Sequence, residues 1–173
     1  MGPSKWSQRL RQRQRDEDGA ELVEFAIVVV VLITLLYGVI SYALVFLTQT
    51  AAAQAANDAS RAALATYNYD ISIGDTTAAA ETAATATAQS TVNNDLGWLR
   101  KPSTTCSASA PTSSTPVECA TSYPTGSTCG STACLSITVA YDYAGDPLVP
   151  ELALGVAMPS TLTSTVEVVL PTG

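Results

Sequence analysis

The sequence predicts an α+β chain: a long N-terminal transmembrane helix extending into a helical stem, a second helix, a small C-terminal antiparallel sheet and a disulfide-stapled loop. Three observations predict this. Residues 25–47 form an apolar run with no charge and no proline. Alanine-rich stretches follow it at 51–65 and 78–86. Near the C-terminus, two segments alternate apolar and small polar residues, the period of a strand with one buried face.

The first element is a basic arm. Lys5, Arg9, Arg11, Arg13 and Arg15 precede the apolar run, and only Arg61, Arg100 and Lys101 follow it. Asp16, Glu17 and Asp18 close the arm, just before Gly19. A helix over 25–47 covers roughly 35 Å at about 1.5 Å per residue, enough for a hydrocarbon core of about 30 Å. With cations clustered on its N-terminal side, the positive-inside bias predicts a cytoplasmic N-terminus and an exported C-terminal body. A secretory h-region is shorter, about 7–15 residues, which argues against an ordinary cleaved signal peptide.

The junction is Asp18-Gly19-Ala20-Glu21-Leu22-Val23-Glu24-Phe25. Glu24 stands at the membrane edge, one helical turn after Glu21. A carboxylate entering lipid is costly and normally has a partner. A cut after Gly19 would give Ala20 a free cationic amine, and an adjacent subunit's amine could then pair with Glu24 and fix the axial register between helices. The simpler alternative leaves Glu24 solvated in the headgroup layer.

Beyond the membrane, alanine continues the helix to about residue 65, since alanine carries the smallest helix penalty. Asn57, Asp58 and Arg61 share one polar face. Residues 67–74 break the pattern and are expected to form a loop. Asp75 or Thr76 is expected to cap a second helix ending near Leu96. Trp98 and Leu99 are expected in the core. Residues 102–132 are rich in Ser, Thr, Pro and Gly, a composition that builds no apolar core of its own. Cys106, Cys119, Cys129 and Cys134 are expected to staple this region by disulfides, in any of three pairings. Zinc is disfavoured by the ligand spacing and by the absence of histidine. Strands are expected through Leu135, Ile137, Val139 and Tyr141, and through Leu162, Ser164, Val166, Val168 and Leu170.

Composition narrows the function classes. Net charge is −7, from 8 basic and 15 acidic residues. With most cations in the leader, the exported body is acidic, which excludes nucleic-acid binding by counterion release. The lack of histidine removes the commonest general base and metal ligand. No phosphate-cradling glycine loop and no Ser/His or Cys/His pair occurs. Asp142 and Asp146 lack the dense oxygen spacing of a calcium loop and fit a turn better. No catalytic residue, cofactor or metal is expected.

The junction resembles a type IV prepilin cleavage site: a basic leader, Gly19, then a glutamate as fifth residue and an aromatic sixth. More specifically, Gly19-Ala20-Glu21-Leu22-Val23-Glu24-Phe25-Ala26 resembles the opening of TadE/TadG-like proteins, minor pseudopilins of the tight-adherence (Flp) pilus system. The Ala/Arg segment over 51–63 and the C-terminal motifs Ser136-Ile137-Thr138-Val139-Ala140-Tyr141-Asp142-Tyr143, Pro147-Leu148-Val149-Pro150 and Leu162-Thr163-Ser164-Thr165-Val166 are also similar to that family.

The resemblance implies processing at Gly19 and Ala20 by a prepilin peptidase, with Glu24 and Phe25 setting assembly register. It implies a leader over 1–19, a transmembrane helix and stem over 20–65, and an exported domain over 66–173 with its loop at about 102–134. Implied partners are other pilin or pseudopilin subunits, the peptidase, the assembly platform and membrane lipid. The implied place is the cytoplasmic membrane, single-pass, or a surface pilus active in adhesion. Two other readings stay open: an uncleaved signal-anchored surface domain with a binding role, and a membrane-tethered enzyme, which the residue inventory disfavours.

Overall fold

A computed structural model describes residues 5–99, 106–107, 116–124, 133–148 and 158–170. Two α-helices are followed by four strands: α1 (Lys5–Ser72), α2 (Thr77–Asp95), β1 (Cys106–Ser107), β2 (Val117–Ser122), β3 (Cys134–Asp142) and β4 (Thr161–Val169). The chain divides into two compact units, Met1–Ala43 and Leu44–Gly173.

The first unit is helical, and its described side chains are almost all exposed. The second holds the core. There, α1 continues to Ser72, where residues 67–74 were expected to form a loop. Its stop signal is Gly74, at φ 92°. The Gly74 amide donates to the Ile71 carbonyl (3.2 Å), and the Asp75 amide to the Asp70 carbonyl (3.0 Å). This is a Schellman closure, which satisfies two orphan carbonyls and needs a left-handed residue at its turn. The tyrosines before it are weak helix formers but are held by packing, with Tyr67 buried.

Thr76 caps α2, its hydroxyl accepting from the Ala79 amide at 3.3 Å. The buried stripe of α2 is Ala80, Ala84, Ala88 and Val92, one residue every fourth position. On α1 the matching stripe is Ala52, Ala55, Ala56, Ala59, Ala63 and Tyr67. Small side chains on both faces let two helix backbones approach closely. The pair is antiparallel: Thr66 meets Thr87, and Asp58 lies near Asp95.

Both expected C-terminal strands form, and β4 keeps strict alternation, with Leu162 buried and Thr161, Thr163, Thr165 and Glu167 exposed. In β3, Leu135, Ile137, Val139 and Tyr141 are buried as expected, and so are Ser136 and Ala140 on the other face. β3 is an inner strand, paired antiparallel to β4 from Cys134↔Val169 to Asp142↔Thr161. On its other side it pairs antiparallel with β2, from Val117↔Tyr141 to Ser122↔Ser136.

β2 corrects the expectation that the cysteine-rich region is only an exterior loop. Val117, Cys119 and Thr121 are buried and face the core. The short β1 pairs parallel to β2, with Cys106 directly opposite Cys119. The sheet order is β1-β2-β3-β4. Hydroxyls join sheet to helix: Tyr123 donates to the Glu81 carbonyl (2.8 Å), and its oxygen lies 3.3 Å from the Thr85 hydroxyl.

Leu96 and Leu99 are buried after α2, but Trp98 is 52% exposed, contrary to the expectation that both Trp98 and Leu99 fill the core. The tight turn allows only one of the adjacent residues to face inward. Asp142 and Asp146 build a turn, as expected. The Gly145 amide donates to Asp142 Oδ1 (3.0 Å), and the Tyr141 hydroxyl donates to the Asp146 carbonyl (2.6 Å).

Candidate functional site

The candidate site is the junction at Gly19 and the apolar helix after it. Backbone hydrogen bonding is helical through Gly19 and Ala20, because α1 starts at Lys5. Gly19 is exposed, and a Cβ built there would meet nothing within 4 Å. The position is therefore open to an approaching protein, and no local packing requires glycine. Glu21, Glu24 and Phe25 are all exposed, Phe25 by 69%.

Leu22, Val23, Phe25, Ile27, Val28, Val30, Val31, Leu32 and Ile33 are exposed as well. Such a continuous apolar surface is untenable in water and calls for lipid or other helices around it. The helix is long and apolar enough to cross a bilayer. Its hydroxyls are satisfied from within: Thr34 donates to the Val30 carbonyl and Ser41 to the Tyr37 carbonyl, each at 2.8 Å. Thr48 repeats the pattern with the Leu44 carbonyl. Back-bonding of this kind is how hydroxyl residues are tolerated where no water is present.

Further along α1, Asn57, Asp58 and Arg61 are exposed on the helix surface. The Asn57 amide donates to the Ala53 carbonyl at 2.8 Å. Facing Asp58 is Asp95, whose carboxyl is pushed above its ordinary value, first by burial and second by the Asp58 charge. This acid–acid approach was not read from the sequence, since it depends on how the two helices are offset.

Cys106 and Cys119 are joined by a disulfide, with their Cα atoms 4.4 Å apart. Cys134 is also disulfide-bonded, and Cys129 lies outside the described residues. Among the described residues, no group of His, Cys, Asp and Glu is arranged to hold a metal ion.

These features define a class of protein: a chain with a candidate membrane-spanning helix near its N-terminus, followed by a disulfide-linked α+β unit. The family model described as TadE-like protein matches residues 19–61, beginning at the junction glycine and ending at Arg61. The junction, the apolar helix and the start of the alanine stem are thus TadE-like. No curated protein and no solved structure matches the chain.

Proposed function

We propose that this chain is a structural, non-enzymatic subunit associated with a tight-adherence-type pilus. In this reading residues 1–19 are a leader removed after Gly19, residues 20–65 are the membrane helix and stem, and residues 66–173 are the exported domain. The helix packs among other pilin or pseudopilin subunits, and the mature protein stays in the cytoplasmic membrane or enters a surface filament used in adhesion.

The observation that carries the reading is the coincidence at one point of the chain. The TadE-like match begins at Gly19, where the backbone has open space around it, and Glu24 then stands exposed at the head of the apolar surface. In lipid that carboxylate needs a cation. The amine released on Ala20 of a neighbouring copy supplies one, and their pairing sets the axial register of the helices.

The experiment is the N-terminus of the membrane-extracted protein from cells that carry a prepilin peptidase. The expected mature chain begins at Ala20, and a chain beginning at Met1 or Gly2 overturns the processing step. Glu24→Ala should leave insertion intact and impair assembly, and unchanged assembly removes the proposed register role.

A second reading has one observation behind it. The backbone is helical across Gly19, whereas a peptidase requires its scissile bond unwound. An intact signal anchor with a binding domain predicts an uncut N-terminus and behaviour as a single subunit in detergent.

A further inference from the structure

The sheet ends differently on its two sides. β1 is two residues long and is tied to β2 by the Cys106–Cys119 disulfide. β4 runs for nine residues and pairs with β3 in one unbroken register, with no bulge. Among the described residues nothing pairs with its outer side. Edge strands are usually kept short, bulged, or loaded with lysine or proline, because an open row of N–H and C=O groups accepts another strand. β4 uses none of these devices, and its one charge is Glu167.

The pairing with β3 fixes which backbone groups are open. The Leu170 amide donates to the Ala133 carbonyl at 2.9 Å, next to the Cys134↔Val169 pair. Hydrogen-bonding direction alternates along an antiparallel strand, so the even-numbered residues of β4 bond toward β3. Thr161, Thr163, Thr165, Glu167 and Val169 turn their N–H and C=O groups to the open side, and the side chains of all five are exposed.

We propose that β4 is a pairing edge for β4 of a second copy of this chain, antiparallel about a two-fold axis at Thr165, so that two sheets join into one. In that register all nine residues overlap. Thr161 faces Val169, Thr163 faces Glu167 and Thr165 faces its own copy, and each of these pairs joins outward-bonding residues on both strands. The polar groups match as well. Glu167, an acceptor, meets the hydroxyl of Thr163, and the two Glu167 carboxylates stand four residues apart along the strands, roughly 14 Å. A two-fold axis at Glu167 would instead set like charges face to face, which is destabilising. Thr138 and Thr165 already meet across β3 and β4, their hydroxyls 2.9 Å apart, and Thr165 against its copy extends that row. This self-match in length, bonding direction and charge selects a second copy as the occupant. The proposal goes beyond the pilus reading and needs no cleavage at Gly19.

The test uses the full chain in detergent, with sedimentation as the measure of association. The chain should dimerise, and Thr165→Cys should form an intermolecular disulfide on mild oxidation. Facing residues in such a pair have Cα atoms about 5.5 Å apart, within disulfide reach. Thr163→Cys alone should not cross-link, because its copy lies four residues away, whereas mixed Thr163→Cys and Glu167→Cys chains should. Thr165→Lys should weaken dimerisation by about tenfold through like charges placed opposite each other. Thr165→Glu should do the same, and an equal mixture of the two should restore it. If the lysine or glutamate variant fails to fold, the cysteine pattern decides alone. A chain that stays monomeric overturns the proposal. So does a dimer indifferent to Thr165→Lys, which would assign association to the apolar part of α1, and so does cross-linking of Thr163→Cys as ready as that of Thr165→Cys. None of these outcomes bears on where the mature chain begins, so the processing step stands or falls separately.

Discussion

The hydroxyls of Thr66 and Thr87 lie 3.1 Å apart across the pair of helices; Thr66 donates, sharing its hydrogen with the Ala62 carbonyl at 3.2 Å, and Thr87 in turn donates to the Ala83 carbonyl at 3.0 Å. This contact, one turn from buried Ala63 and Ala84 on the facing stripes, marks how closely the two alanine faces meet. Ala84→Leu should therefore destabilise the second unit by about 1–3 kcal/mol, because a packed small-residue face has no room for the added carbons. Ala86→Leu, on the exposed side of the same helix, should change stability by less than about 0.5 kcal/mol. Thermal unfolding of the detergent-solubilised chain separates the two, and equal effects would contradict the close packing.

Gly74 holds φ at 92° in the closure between α1 and α2. Its Cβ would meet no neighbour, so any cost of substitution comes from the backbone alone. Gly74→Ala should cost about 1–2 kcal/mol, and Gly74→Asn less, since asparagine tolerates the left-handed region better. The measurement is the same unfolding midpoint. An alanine variant as stable as the parent would mean that the turn adopts another conformation.

Of three sequence-allowed disulfide pairings, the structure holds Cys106 to Cys119. Peptide mapping without reduction should recover that bridge and a second one from Cys134 to Cys129. Replacing Cys106 and Cys119 together by serine should cost about 3 kcal/mol, the loop-closure entropy expected for a separation of this size. A bridge from Cys106 to any other cysteine would contradict the parallel pairing of β1 with β2.

Asp95 ends α2 beside Asp58, and its carboxyl is pushed up by burial first and by that neighbouring charge second. The folded chain therefore holds this proton more tightly than the unfolded chain. Stability from Asp95 is fully present below its unfolded value and falls as pH rises through the folded one. The negative end of the helix dipole acts in the same direction. Asp95→Asn should raise the unfolding midpoint at neutral pH, and its advantage should shrink as the medium is acidified toward the ordinary carboxylate range. An advantage independent of pH would rule out the charge origin.

Much of the candidate site was legible in the sequence. An apolar helix, a charge-free span and a carboxylate at its head are properties of consecutive residues, because a bilayer acts on each stretch of chain separately. The strands around Ile137 and Val166 were legible for the same reason, through alternation. Helix α2 was bounded to within a residue or so, because Thr76 and the turn after Asp95 are local signals. The end of α1 was misplaced because Tyr67 and Tyr69 weigh against helix locally, while burial of Tyr67 and the Gly74 closure outweigh that preference.

By itself, then, the sequence determined the two helices, the two C-terminal strands and the membrane-competent apolar run. Tertiary structure alone decided the rest. Residues 117–122 become a strand because β3 offers them an edge and their alternate side chains a core. Cys106 pairs with Cys119 because β1 lies beside β2. Leu99 turns inward and Trp98 outward because the turn after α2 has room for one of them. Each depends on groups far apart in the chain, whose meeting is set by the packing of α2 on the stem and the sheet.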